Sequence, residues 1–95
     1  MKPISFNDRV RIPEKVLISG LQGESVLLNL DSECYFGLDD VGTRMLTILN
    51  NSDSVQDAYE SLLEEYEVDG EVLRHDLTAI IQQLAEKGLV EITRA

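Results

Sequence analysis

A chain of 95 residues with 18 acidic and 8 basic side chains, a formal net charge of −10 and 43% hydrophobic content has the size and apolar fraction of one small domain. That acidity excludes unaided binding to nucleic acid or anionic lipid, which depends on Lys and Arg neutralising phosphates. One Cys and one His exclude an internal disulfide, a multi-cysteine zinc site and a two-histidine metal motif, and 5% aromatics without Trp leave no base-stacking platform.

In chain order, residues 1–15 read as an arm or a first strand: polar and apolar residues alternate over Arg9-Val10-Arg11-Ile12, and Pro13 stops the run. Val16-Leu17-Ile18 is a short strand ended by Ser19-Gly20, and Gly20 and Gly23 bracket a turn. Ser25 to Leu30 is the next strand, Asp31-Ser32-Glu33 a polar turn, and Cys34-Tyr35-Phe36-Gly37-Leu38 the return strand of a hairpin. The period then becomes helical. Asp39 or Asp40 caps a helix with Val41, Met45, Ile48 and Leu49 on one face. Asn50 to Asp53 breaks it, and Ser54 with Asp57 three residues later opens a second helix carrying Val55, Ala58, Leu62 and Tyr66.

Asp69-Gly70 opens a third helix. Projected at about 100° per residue from Val72, Leu73, Leu77, Ile80 and Leu84 cluster between about 80° and 140°, with Ile81 and Arg74 on the flank near 180–200°. Lys87-Gly88 supplies a left-handed C-cap with a cation at the negative helix end, and Leu89 to Ile92 leaves as an extended tail. Strands followed by helices predict an α+β domain over residues 1–95, with helices packed on one face of a small antiparallel sheet. No apolar run approaches the ~18 residues of a spanning helix. The first residues lack a signal peptide's apolar stretch, so a cytoplasmic protein is expected.

The charge is unevenly spread. Residues 1–25 carry Lys2, Arg9, Arg11 and Lys15 against Asp8, Glu14 and Glu24, a net of +1, which leaves −11 on residues 26–95. One reading is a solvated, solubilising surface; another is a field that steers a basic partner.

The segments Gly23 to Leu30 and Cys34-Tyr35-Phe36-Gly37-Leu38-Asp39-Asp40-Val41-Gly42, then Glu65-Tyr66-Glu67-Val68 and Gly88-Leu89-Val90, together resemble the PqqD family over about residues 16–92. The family supplies leader-peptide recognition domains for ribosomally made peptide natural products. The resemblance implies a winged-helix-like fold, a three-stranded antiparallel sheet followed by three helices, that binds a precursor's leader as an added strand. It places the binding edge at Cys34–Gly37 and the wall on the third helix. The turn Asp31-Ser32-Glu33-Cys34 departs from the P-E-G-type turn usual in the pyrroloquinoline quinone protein. Tyr-Phe-Gly-Leu-Asp is closer to the standalone leader-binding proteins of lasso-peptide clusters. Met45-Leu46 stands where the first helix of these proteins often carries Trp, which alters core packing.

The candidate peptide contacts are therefore Cys34, Tyr35, Phe36 and Gly37 on the edge, with Leu73, Arg74, Leu77 and Ile81 on the wall. Each has a plainer alternative. Cys34 reads as a small half-buried residue with no activating neighbour, and His75 as a solvated helix residue or one rimming the groove. Gly37 reads as a bend or as room for a peptide backbone, Gly42 as a point of close helix–sheet packing, and the leucine stripe as core. Tyr35 and Phe36 must point to opposite faces of their strand.

No carboxylate pair, activated nucleophile or phosphate loop is legible, so no enzyme and no cofactor are expected. The leading expectation is an adaptor that captures a leader and presents it to a maturation enzyme. That enzyme is a leader protease in a lasso-type pathway or, alternatively, a radical-SAM enzyme in pyrroloquinoline quinone synthesis. A winged-helix nucleic-acid regulator is disfavoured because the third helix sets only Arg74 and Lys87 against Glu71, Asp76 and Glu86. The chain is expected to be a monomer or a weak homodimer; a structural subunit closing its sheet edge by dimerising is a further alternative.

Overall fold

The computed structural model describes residues 4–94, the side chain of Leu21 excepted. The order is β1 (Arg9–Arg11), β2 (Val16–Leu21), β3 (Glu24–Asn29), β4 (Tyr35–Leu38), α1 (Asp40–Asn51), α2 (Val55–Glu65), α3 (Gly70–Glu86) and β5 (Glu91–Thr93). β2, β3 and β4 form an antiparallel sheet in that order, with Leu17 opposite Leu28 and Leu28 opposite Tyr35. This is the expected α+β plan of a three-stranded sheet followed by three helices. β1 does not extend that sheet. It pairs antiparallel with the tail strand β5, Val10 opposite Ile92, as a separate two-stranded ribbon.

The helix starts follow local chemistry. Asp39 accepts a hydrogen bond from Gly42 N–H at 2.8 Å, Ser54 from Asp57 N–H at 3.1 Å and Asp69 from Glu71 N–H at 2.8 Å, so each helix has its N-cap. α3 closes in a two-bond left-handed cap at Gly88 (φ 69°): Leu89 N–H donates to the Leu84 carbonyl and Gly88 N–H to that of Ala85. The N-terminal arm completes other ends. Val55 N–H and Gln56 N–H, unsatisfied within α2, donate to the carbonyls of Asp8 and Phe6. Arg11 reaches the Ser52 carbonyl at 3.0 Å, just past the end of α1.

Leu27 and Leu38 of the sheet, Met45, Leu46 and Leu49 of α1, and Val55, Ala58 and Leu62 of α2 surround Leu77, Ile81 and Leu84 of α3. Two helix faces differ from expectation. On α1 the buried set is Gly42, Met45, Leu46 and Leu49, while Val41 is exposed. On α3 it is Leu73, Leu77, Ile81 and Leu84, with Ile80 only half-buried. The α3 stripe is thus rotated toward Ile81; adjacent isoleucines satisfy the apolar period almost equally, and the packing of α2 and the sheet selects between them. Among the described residues no helix is long and apolar enough to cross a membrane.

Candidate functional site

Among the described residues β4 is an edge strand, paired only with β3. Its register runs Ser25–Leu38, Val26–Gly37, Leu27–Phe36 and Leu28–Tyr35, and Asn29 N–H donates to the Cys34 carbonyl at 2.8 Å just before it. Antiparallel pairs alternate between bonded and non-bonded, so Phe36 and Leu38 spend their ladder bonds on β3. Tyr35 and Gly37 turn their main-chain N–H and C=O groups to the free edge. An edge of this kind is a template for another extended chain.

The edge opens onto a groove of about 500 Å³. Phe36, Leu38 and Asp39 line one side, Val41, Gly42 and Met45 of α1 one end, and Asp76, Ala79, Ile80 and Gln83 of α3 the far wall. Gly42 lets these elements meet. A Cβ there would lie 3.2 Å from Leu38 Cδ2 and 3.4 Å from Ile80 Cδ1, so the absent side chain permits the close packing expected of it. At the opposite end the Lys87 Nζ stands 5.8 Å from the centroid of the Phe36 ring.

Asn29 sets that second end. Its buried amide donates to the Gly88 carbonyl at 2.8 Å, while its Oδ1 accepts from Asp31 N–H at 2.9 Å and Ser32 N–H at 3.2 Å. One side chain thereby ties the turn before β4 to the C-cap of α3. Ser25 and Thr43 hydroxyls, 2.7 Å apart, do the same between β3 and α1. Neither tie is singled out by the sequence reading; the available signal is an Asn and a Ser at inward positions of an otherwise apolar strand, where a buried polar group must find a partner.

The edge residues resolve as follows. Phe36 faces the groove, whereas Tyr35 is 73% exposed on the outer face of the sheet. Cys34 is exposed rather than half-buried, because it lies in the turn before the strand begins. A Cβ on Gly37 would meet nothing within 4 Å, so no crowding demands glycine there. His75 is exposed on α3.

The wall residues need correction. Leu77 and Ile81 are fully buried in the core, out of reach of a ligand in the groove, and Leu73, 3% exposed, does not line the groove but a smaller pocket beside it with Val41, Met45 and Asp76. Arg74 lies on the opposite flank of the helix, its guanidinium 4.2 Å from the centre of the Phe6 ring and 5.0 Å from that of Tyr59. The groove flank is the one near 20–80° in helical projection, where Asp76, Ile80 and Gln83 fall, about 90° from the centre of the core stripe. Among the described residues no cluster of His, Cys, Asp or Glu could hold a metal ion.

Comparison with known proteins bears on the fold and the family. No curated protein sequence matches the chain. Two solved structures do. One, described as TbiB1 in complex with the TbiA(beta) leader peptide, is 33% identical with a TM-score of 0.78, covering 85% of this chain and 94% of that one. The other, a lasso peptide synthetase B1 complexed with the leader peptide, is 25% identical with a TM-score of 0.76, covering 87% and 98%. The family model described as coenzyme PQQ synthesis protein D matches residues 24–90, the sheet from β3 onward and all three helices, and the chain belongs to the PqqD family.

Proposed function

We propose that the protein is a non-catalytic adaptor that captures the leader of a ribosomally made precursor peptide by strand addition to β4 and presents it to a maturation enzyme. The observation that carries this is the free edge of β4 facing an open groove with the half-buried Ile80 on its far wall. Main-chain bonds to Tyr35 and Gly37 supply affinity independent of sequence, and side chains pointing into the groove supply selectivity. Both solved neighbours carry leader peptides, and one is described as a lasso peptide synthetase B1, which favours a leader-cleaving protease over a radical-SAM enzyme as the recipient. The peptide contacts on this reading are Tyr35, Phe36 and Gly37 from the edge, with Asp76, Ala79, Ile80 and Gln83 from α3.

Titration of the labelled protein with its cognate leader tests the reading. Amide resonances of Tyr35–Leu38 and of residues 76–83 shift, and leaders N-methylated at alternate residues lose binding in one of the two phases. A cognate leader that binds while leaving those amides unmoved sinks the strand-addition mechanism.

A further inference from the structure

The groove is electrically polar along its length, and that polarity assigns a charge order to its ligand. α3 runs antiparallel to β4. Near the C-terminal end of β4, Leu38 and Ile80 converge on Gly42, whereas Lys87, at the end of α3, reaches back to Phe36. The two ends therefore differ in sign: Asp39 and Asp76 line the first, and Lys87 overhangs the second. All three side chains are exposed, and among the described residues none of them joins an ion pair. Asp39 spends one oxygen on Gly42 N–H and keeps the other.

Every pairing in the three-stranded sheet is antiparallel, and antiparallel addition is the more stable per residue. A strand added in that sense enters at Asp39 and Asp76 and leaves at Lys87. The eleven steps from Asp76 to Lys87 rise about 16 Å along the helix, close to the ~13 Å spanned by four residues of a strand. An even spacing also keeps both side chains on the face that meets α3. We infer that the groove selects an extended peptide with a cationic side chain at one position and an anionic one four residues later. This rests on the strand-addition reading and goes beyond it, since strand addition alone is indifferent to charge order.

Two capped peptides of identical composition separate the possibilities: acetyl-Thr-Lys-Thr-Val-Thr-Glu-Thr-amide and its charge-exchanged twin, acetyl-Thr-Glu-Thr-Val-Thr-Lys-Thr-amide. Both are neutral overall, so attraction to the acidic body cancels. By chemical-shift titration the Lys-first peptide binds about 5-fold tighter, a preference that shrinks with added salt as exposed charges are screened. The double variant Asp76→Lys, Lys87→Glu, folded by circular dichroism, reverses the preference. Equal affinity of the two peptides at β4, or a preference the double variant leaves in place, overturns the charge order while strand addition stands. Shifts at β4 from neither peptide, when the cognate leader does produce them, likewise overturn it. No shifts from any of the three ligands overturn strand addition as well.

Discussion

Along one flank of α3, Arg74 lies against two aromatic rings, Phe6 from the N-terminal arm and Tyr59 from α2, whereas along the other Asp76, Ile80 and Gln83 face a strand edge. The first flank is closed by the chain itself. Phe6 and Tyr59 meet edge to face at 5.7 Å, and the arm is anchored by the buried Asp8, which accepts from Arg94 at 2.7 Å and from Ser5 N–H at 3.0 Å. The second flank carries an apolar side chain, small and polar neighbours and unpaired main-chain groups. A helix with equal need to bury both sides would have been covered on both. The difference shows that the arm serves stability, and it leaves the groove as the candidate site.

Substitutions on adjacent residues sharpen that contrast most. Ile81→Ala removes a fully buried side chain and lowers unfolding stability by about 3 kcal/mol in denaturant titration, with little direct effect on leader affinity among molecules still folded. Ile80→Ala, one position along, costs about 1 kcal/mol of stability but weakens leader binding at least about tenfold by calorimetry, a loss of roughly 1.4 kcal/mol. Equal profiles for the two variants would erase the distinction between flanks.

On the closed side, Asp8→Ala strips the anchor of the arm. Stability falls by about 2 kcal/mol, less than for a fully buried pair because the Arg94 left behind is 46% exposed and keeps its water. Leader affinity at 25 °C stays within about twofold, read in the same titration, because the arm does not touch the groove.

The smallest effect lies at the Arg44–Glu65 pair joining α1 to α2, at 2.8 Å and 2.5 Å. The hydrogen bond from Arg44 holds the Glu65 carboxyl below its ordinary range. A depressed folded value means the contribution is present above the unfolded value and disappears as pH falls through the folded one. Glu65→Gln therefore melts slightly below the parent at pH 7, and the gap narrows as the solution is acidified below the ordinary carboxylate range. Both partners are exposed, so the gap is small and closes in high salt.

Much of this arrangement is legible in the sequence. The hairpin through Asp31-Ser32-Glu33, the three N-caps and the glycine stop at Gly88 follow from local chemistry, which acts between residues a few positions apart. Three features do not follow. The choice between Ile80 and Ile81 depends on which flank other elements occupy, and an apolar period alone is blind to that. The destination of Arg74 depends on Phe6, which is distant in sequence and arrives only through the arm. The pairing of β1 with β5 joins the two ends of the described chain, and its short strands carry little signal of their own. The family resemblance located the edge strand; the flank of α3 that faces it had to come from packing.

The amide of Asn29, shared between a hairpin turn and the end of α3, has a thermodynamic corollary. Together with the Ser25–Thr43 contact it holds strand and helix at a set separation before any ligand arrives. The ordering entropy of association then falls almost wholly on the incoming peptide, which must give up an extended chain's freedom while its receptor surrenders little. Affinity in such a pair is best raised by stiffening the ligand: a cyclised or β-branched leader should gain more than any tightening of the receptor could supply.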